Sequence, residues 1–145
     1  DTFVSDMNEK AKALNLTRTY LVDPTGLSPQ NQTTALDMAR LASLALRNEL
    51  FAKIVATKHI DVSDVSGNIV HSLENLNELL GVVEGVTGIK TGFTEEAGQV
   101  LVAAATREGH TIVTVVLRSE DRFADSQNLL EWAFANHTFI SAALL

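Results

Sequence analysis

The sequence contains no cysteine among its 145 residues. This absence excludes disulfides, thiol nucleophiles and cysteine-based zinc sites. Basic residues are also few, since 11 Lys and Arg stand against 18 Asp and Glu, which gives a formal net charge of −7. Nucleic-acid binders need clustered basic residues to neutralise phosphates, and this chain has no such cluster. The composition therefore argues against a nucleic acid as partner.

Long apolar runs are missing as well. The longest ones are short, such as residues 100–105, whereas a membrane-spanning helix needs about 20 apolar residues. The first six residues have no basic region and no apolar core, so no signal peptide is predicted there. Hydrophobic residues make up 46% and charged residues 20%, which is typical of a soluble globular domain. The length suits one domain.

Several catalytic and phosphate-binding motifs are absent. No serine lies in a Gly-x-Ser-x-Gly turn, and none has a lysine three residues later, the spacing that joins a nucleophile and its base on one helical turn. Glycine-rich phosphate loops and His-Glu-x-x-His are also missing. The four histidines share no metal-ligand spacing and are interpreted as surface or structural residues: His59, His71, His110 and His137.

The periodicity of apolar residues predicts an α+β fold. Helices come first, then an antiparallel meander, then a final helix. We predict helices over 3–14, 35–46, 49–56 and 121–136, one helical turn over 75–80, a hairpin of 59–65 and 69–73, and strands over 88–94, 99–106 and 111–117. Thr34 with Asp37 three residues later resembles a capping box in which Asp replaces Glu.

Two of these segments carry a prediction about burial. The strands over 99–106 and 111–117 are rich in Val and Ala with little alternation, which indicates cover on both faces. The helix over 35–46 is apolar nearly all round, so we expect it to be buried on several sides.

The triplet Lys90-Thr91-Gly92 is the one chemical signature on a predicted strand. Lys-Thr-Gly is one of three motifs of penicillin-binding proteins and serine β-lactamases. Three residues alone also fit an ordinary edge strand with a solvated lysine and a glycine bend. The triplet needs support from the rest of the chain.

That support comes from the surrounding sequence, which resembles the low-molecular-mass D-alanyl-D-alanine carboxypeptidases. The similar segments run in order along nearly the whole chain: Phe-Val-x-x-Met-Asn-x-Lys-Ala over 3–11, Asp-Pro-Thr-Gly-Leu over 23–27, Thr-Ala-Leu-Asp-Met-Ala over 34–39, Asn-Leu-Asn-Glu-Leu-Leu over 75–80, Gly-Val-Thr-Gly-Ile-Lys-Thr-Gly-Phe-Thr over 85–94, and Ala-Gly with Ala-Ala-Ala-Thr-Arg at 97–98 and 103–107. The stretch Gln32-Thr33-Thr34 departs from the family's more usual His-x-Ser-Thr.

The resemblance implies a partial β-lactamase/transpeptidase-like fold. In that family a Ser-x-x-Lys pair and a Ser-x-Asn triplet precede the segment that begins here at Phe3. Residues 1–145 are therefore expected to be the later part of one catalytic domain, without those two motifs. The triplets that begin at Ser66 and Ser126 match Ser-x-Asn in the wrong places and are interpreted as structural.

The resemblance also implies roles around the triplet. Lys90 would place a positive charge beside the nucleophile and help to relay a proton. The Thr91 hydroxyl would donate to the substrate's terminal carboxylate. Gly92 would let a peptide lie against the strand edge as an added strand. These three residues are the expected catalytic set.

Substrate-binding roles are expected beside them. The backbone N–H of Phe93 resembles the family's second oxyanion donor, and Thr94 follows it on the strand. Arg122 aligns with a family arginine that binds the substrate carboxylate. Its alternative is an ordinary solvated arginine, and Arg118 is a nearby competitor for the role.

The implied activity is that of a serine-type D-alanyl-D-alanine carboxypeptidase. It would remove the terminal D-alanine of peptidoglycan stem peptides through an acyl-enzyme, with β-lactams as substrate mimics and with no metal or organic cofactor. It would act outside the cytoplasmic membrane. This chain alone is expected to be inactive, and unpaired strand edges predict a homo-oligomer. The alternatives are a non-catalytic module that binds stem peptides or a partner protein and, less favoured by the sequence contexts, a β-lactamase.

Overall fold

The computed structural model describes residues 2–140, and this range has the predicted α+β order. The helices are α1 (Thr2–Ala13), α2 (Ala35–Ala45), α3 (Glu49–Val55) and α4 (Arg122–Asn136). The strands are β1 (His59–Ser63), β2 (Val70–Glu74), β3 (Val86–Thr94), β4 (Gly98–Arg107) and β5 (His110–Ser119). None of the helices in this range is long and apolar enough to cross a bilayer.

The strands form two separate antiparallel sheets. β1 and β2 pair with each other as a hairpin, and the main sheet has the order β3-β4-β5. Lys90 of β3 lies opposite Val102 of β4, and Gly92 lies opposite Val100. β4 is therefore central, whereas β3 and β5 are the edges of the sheet within the described residues.

Helix α4 closes one face of the main sheet. The Asp121 carboxylate accepts hydrogen bonds from the N–H groups of Phe123 and Ala124, which caps the first turn. Leu130 then packs on Leu101 and Ala103, and all three are fully buried. Burial of one such leucine is worth about 1.5–3 kcal/mol.

Helices α2 and α3 cover part of the opposite face. Ala42, Ile89 and Ala104 form its buried cluster, with Phe51 and Val55 packed against it. The prediction that residues 99–106 form a strand covered on both faces is thus confirmed for Ala103, Ala104 and Ala105 of β4, which are fully buried, but not for Val100 and Val102, which are half-buried.

Two sequence predictions need correction. Helix α2 is not buried on several sides, because Leu36 is 60% exposed and the sheet covers one of its faces only. Residues 75–80 form no helix. They form successive turns, in which the Leu80 N–H donates to the Asn77 carbonyl, because the Asn75 and Asn77 side chains accept backbone N–H groups that a helix would use itself.

Candidate active site

The Lys-Thr-Gly triplet lies in the middle of the edge strand β3. Lys90 is exposed and its Nζ donates to the carbonyl of Thr91, whereas Thr91 is buried. Both residues line a cleft of about 930 Å³. Because β3 pairs with β4 on one side only, its other backbone edge is open to an extended peptide within the described part of the chain.

Gly92 has a packing reason to be glycine. A Cβ built at this position would lie 2.7 Å from Cγ2 of Val100, the residue opposite on β4. Real Cβ atoms do not approach a methyl group so closely, so any side chain would displace Val100. The family role expected of Gly92, room for a peptide at the strand edge, stays a prediction.

The fold brings Arg122 to the triplet from the first turn of α4. Its Nη1 donates to the Gly92 carbonyl at 2.8 Å, and its guanidinium lies 4.8 Å from the ring centre of Phe123. The Nε atom is buried and has no hydrogen-bond partner in the described structure. Arg122 is therefore held beside β3 by one of the five N–H donors of its guanidinium.

The two residues after the triplet differ in their surroundings. The Phe93 side chain is 64% exposed, so it contributes little to the core. The Thr94 hydroxyl accepts the Ala97 N–H at 3.1 Å and thereby closes the turn from β3 to β4. Their expected substrate-binding roles stay predictions.

The wall of the cleft opposite β3 comes from two loop segments, residues 17–20 and 31–34. Tyr20 and Gln32 exchange two backbone hydrogen bonds of 2.8 Å, which join the segments. Gln32 also lines the cleft. The wall therefore presents mainly hydroxyl and amide side chains.

A buried carboxylate fastens this wall. Asp37 is only 2% exposed, and its Oδ2 accepts the Arg18 N–H and the Thr19 hydroxyl at 2.9 Å each. The Thr34 hydroxyl does accept the Asp37 N–H, as a cap should, but the Asp37 side chain turns to the loop and not back to the start of the helix. The capping-box prediction is thus confirmed for Thr34, which caps the helix, and wrong for Asp37, whose carboxylate accepts the Arg18 N–H of the loop instead.

A second carboxylate shapes the loop behind the wall. Asp23 accepts hydrogen bonds from the Thr25 hydroxyl and from the backbone of Thr25, Gly26 and Ser28. These donors, the Thr25 hydroxyl foremost, hold the pKa of Asp23 well below its ordinary value. The segment Asp-Pro-Thr-Gly-Leu is therefore a turn organised around an ionised carboxylate.

The remaining sequence candidates lie away from the cleft. Ser66 is in the β1–β2 turn, where its hydroxyl donates to Asp64. Ser126 is fully buried on α4, and its Oγ has no partner in the described structure. No group of three His, Asp or Glu residues suited to a metal ion occurs between residues 2 and 140.

The comparison with known proteins gives this geometry a family. The model of peptidase family S11, D-alanyl-D-alanine carboxypeptidase, matches residues 1–121. Two relatives are each 33% identical: D-alanyl-D-alanine carboxypeptidase DacF of Bacillus subtilis (strain 168), over 94% of this chain, and the D-alanyl-D-alanine carboxypeptidase of Streptomyces sp. (strain K15), over 92%. The chain belongs to family S11.

Solved structures agree with this S11 assignment. The chain is similar to the Streptomyces K15 DD-transpeptidase, with a TM-score of 0.86 and 33% identity over 92% of this chain and 54% of the other. It is also similar to penicillin-binding protein D2 of Listeria monocytogenes in its cefotaxime-bound form, with a TM-score of 0.80 and 31% identity over 91% and 55% of the two chains. The predicted transpeptidase-like fold is thereby confirmed.

The chain spans about half or less of the length of these S11 relatives. It covers 36% of the Bacillus protein and 49% of the Streptomyces protein. The match to the S11 family model includes the Lys-Thr-Gly strand and the wall segments 17–20 and 31–34. It ends one residue before Arg122.

Sequence reasoning missed two contributors to the S11 cleft, Arg18 and the fastening carboxylate Asp37. Arg18 lies in a segment without a periodic pattern, so nothing local indicated that it lines the cleft. Asp37 had a signal, because an acidic residue in an apolar helix needs a partner. That signal pointed to the helix start, while the partners are 18 and 19 residues earlier.

Proposed function

We propose that this chain is the Lys-Thr-Gly half of the active site of a serine-type D-alanyl-D-alanine carboxypeptidase. The observation that carries the proposal is that Lys90 and Thr91 of the edge strand β3 line a cleft of about 930 Å³, while Arg122 donates to the Gly92 carbonyl of the same triplet. Residues 1–145 would be the later part of the catalytic domain. A serine and its lysine base would come from a part of the domain outside these residues.

The reaction assigns distinct work to each group. The serine hydroxyl would attack the carbonyl of the penultimate D-alanine, form an ester and release the last D-alanine, and water would then hydrolyse the ester. Lys90 would stabilise the negative charge that develops and help to move the proton. The Phe93 N–H would donate to the oxyanion, and a stem peptide would pair with β3 as an added strand.

The substrate's terminal carboxylate is proposed to bind between Thr91 and Arg122. The Thr91 hydroxyl supplies one donor, and the Arg122 guanidinium, which also donates to the neighbouring Gly92 carbonyl, supplies another. In a chain extended upstream to include the nucleophile, Arg122→Ala should therefore lower kcat/KM for D-Ala-D-Ala substrates by about 10- to 150-fold, the loss of one charge-assisted hydrogen bond. An unchanged kcat/KM with a loss at Arg118→Ala would move the carboxylate site.

Acylation by cefotaxime tests the proposal directly. The 145-residue chain should gain no mass, because no serine has a lysine one helical turn later. A chain extended upstream to the length of its relatives should gain the mass of one cefotaxime-derived acyl group. Intact-mass spectrometry measures both, with the Listeria penicillin-binding protein D2 as positive control.

The outcomes of this acylation experiment distinguish the proposed enzyme from its alternatives. A stoichiometric adduct on the 145-residue chain would show that the nucleophile lies within it and would overturn the division of the site. An extended chain that stays unmodified but binds stem peptides would favour the alternative, a non-catalytic binding module. Since peptidoglycan is found outside the cytoplasmic membrane, the proposed location is extracytoplasmic.

We also propose that the chain associates with itself. β3 and β5 are unpaired edges within the described range, and Leu36, Leu50 and Ile54 are 60–67% exposed. Light scattering should detect dimers or larger species at micromolar concentration. A compact monomer at high concentration would contradict this.

A further inference from the structure

The charges around the cleft are all of one sign. Arg18, Lys90 and Arg118 line it, and no Asp or Glu does. In the described structure none of these three cations lies within 4 Å of a carboxylate. The chain as a whole carries a net charge of −7, so an acid-free cleft with three unpaired cations is a local exception.

The acidic residues nearby do not neutralise this group. Asp37 lies behind the wall, where its Oδ2 accepts the backbone N–H of Arg18 and its Oδ1 lies 3.7 Å from Arg40. Glu95, Glu96 and Glu120 are near Arg118 along the sheet end, yet none forms an ion pair with it. The cationic side chains therefore face the cleft without a counter-charge from the described chain.

A β-bulge directs Arg118 into the cleft. Gln99 pairs with Ser119 and Leu101 with Val116, so the single residue Val100 lies opposite both Leu117 and Arg118. Neighbouring residues of a regular strand point to opposite faces, but here Leu117 and Arg118 line the same cleft. The bulge thus turns a side chain that would otherwise point to the α4 face.

The backbone at this bulge would suit glycine better than arginine. Arg118 has a φ of +56°, in the left-handed region that residues with a Cβ rarely adopt. The Cβ that Gly98 lacks would lie 3.3 Å from Cα of Arg118, so the two strands are also close here. An arginine at a strained position, aimed at a cationic cleft, indicates a ligand for its charge.

From these observations we infer that Arg118, with Arg18, binds a second carboxylate of the peptide substrate, on the side chain of the residue before D-Ala-D-Ala. This rests on the proposed function and refines its substrate class. A peptide added at the open edge of β3 lies three strand spacings, about 14 Å, from β5, so only a long side chain extending into the cleft could meet Arg118 there. The two D-alanines have only methyl side chains, so the third residue from the peptide's end is the first whose side chain can carry a carboxylate. A substrate with only an ammonium there would be repelled.

Three peptides that differ only at this side chain test the inference. They are N-acetyl-norleucyl-D-Ala-D-Ala (neutral), N-acetyl-2-aminopimelyl-D-Ala-D-Ala (carboxylate) and N-acetyl-lysyl-D-Ala-D-Ala (ammonium). NMR titration of the 145-residue chain should give a dissociation constant about tenfold lower for the carboxylate peptide than for the neutral one. The lysyl peptide should bind most weakly, and added salt should shrink both differences.

Two variants separate the ligand role from a structural one. Arg118→Gln and Arg118→Gly should both remove the preference and leave the neutral peptide's affinity unchanged. Arg118→Gly should also leave the free energy of unfolding equal or higher, because glycine relieves the left-handed φ. Lys12→Gln, which removes one exposed charge on α1 away from the cleft, is the matched control and should keep the preference.

The inference and the proposed function fail in different ways. Equal affinities for the three peptides, tightest binding of the lysyl peptide, no binding of the carboxylate peptide, or a preference that survives in Arg118→Gln would each overturn the inference. Cefotaxime has no carboxylate on its 7-acyl group, so acylation of the extended chain with its natural Arg118 tests the proposed enzyme independently of the inference. Absent acylation would overturn the proposed enzyme, whatever the peptides do.

Discussion

The two faces of the β3-β4-β5 sheet are covered in different ways. On the α4 face, Leu101, Ala103 and Leu130 are fully buried, and the helix runs across β4 and β5. On the other face, α2 and α3 cover one end, while Lys90, Val100 and Arg118 line an open cleft at the other. Both faces are made by alternate residues of the same strands. The packed core and the open cleft thus lie on opposite sides of one sheet, so substitutions on each side should give separable effects.

The largest effect on stability is expected from the closed face. Leu130→Ala should lower the free energy of unfolding by about 2–5 kcal/mol, because it removes buried methyl groups and leaves a cavity against Leu101. Chemical denaturation of the 145-residue chain measures this. Leu129→Ala is the control, since Leu129 is 43% exposed on the same helix and should cost much less. Equal losses of unfolding free energy in the two variants would mean that Leu130 does not pack α4 against this face.

The open face should show the reverse pattern. In a chain extended to include the nucleophile, Lys90→Ala should slow acylation by about 10²-fold, the size of losing one preorganised electrostatic group. The free energy of unfolding should change little, since the Lys90 side chain is exposed. Stopped-flow acylation and denaturation are measured on the same preparation. Near-normal acylation in a folded variant would refute the role of Lys90.

Asp37 tests whether the wall of the open cleft is a separate structural unit. Asp37→Ala leaves the Arg18 N–H and the Thr19 hydroxyl without their acceptor and should cost about 1–3 kcal/mol. NMR shift changes should concentrate in residues 17–20 and 33. Glu49→Ala, which removes an exposed acid in the first turn of α3, is the control. NMR shift changes that extend to Leu130 would contradict the expectation that the two faces of the sheet respond independently.

The smallest effect concerns an ion pair at the far end of α4. The two guanidinium nitrogens of Arg107 donate to the Glu131 carboxylate at 2.7 and 2.9 Å, which lowers the pKa of Glu131. A lowered folded pKa stabilises the fold above the ordinary value of 4.5, and this contribution is lost as pH falls through the lowered pKa. Glu131 is half exposed, so Glu131→Gln should cost less than about 1 kcal/mol at pH 7.

A pH series of unfolding curves checks this last prediction. The difference between wild type and Glu131→Gln should stay constant from neutral pH down to about 5 and vanish at lower pH. A difference that grows toward acid would reverse the sign and contradict the ion pair. Glu108→Gln, at an exposed turn residue of the same end, provides the control.

Local chemistry made much of this fold predictable. The β4–β5 turn lies in the gap between the predicted strands over 99–106 and 111–117, and its Glu108 and Gly109 both adopt a positive φ, as the tightest hairpin turns require. Helix α4 begins where Asp121 caps it and buries Leu130 as its apolar spacing indicates. The expected burial of α2 on several sides was wrong, because apolar composition shows what a helix can bury and does not show which elements are present to cover it.

By itself, the sequence determined the order and kind of the elements, the Lys-Thr-Gly strand and its family, since these depend on neighbouring residues and motif spacing. Tertiary structure alone decided which distant groups meet. Arg122 reaches the Gly92 carbonyl across 30 residues, and Asp37 ties down Arg18 and Thr19 across 19 and 18. The bulge that turns Arg118 into the cleft is equally invisible in the sequence, because it is a mismatch of register between two strands and belongs to neither alone.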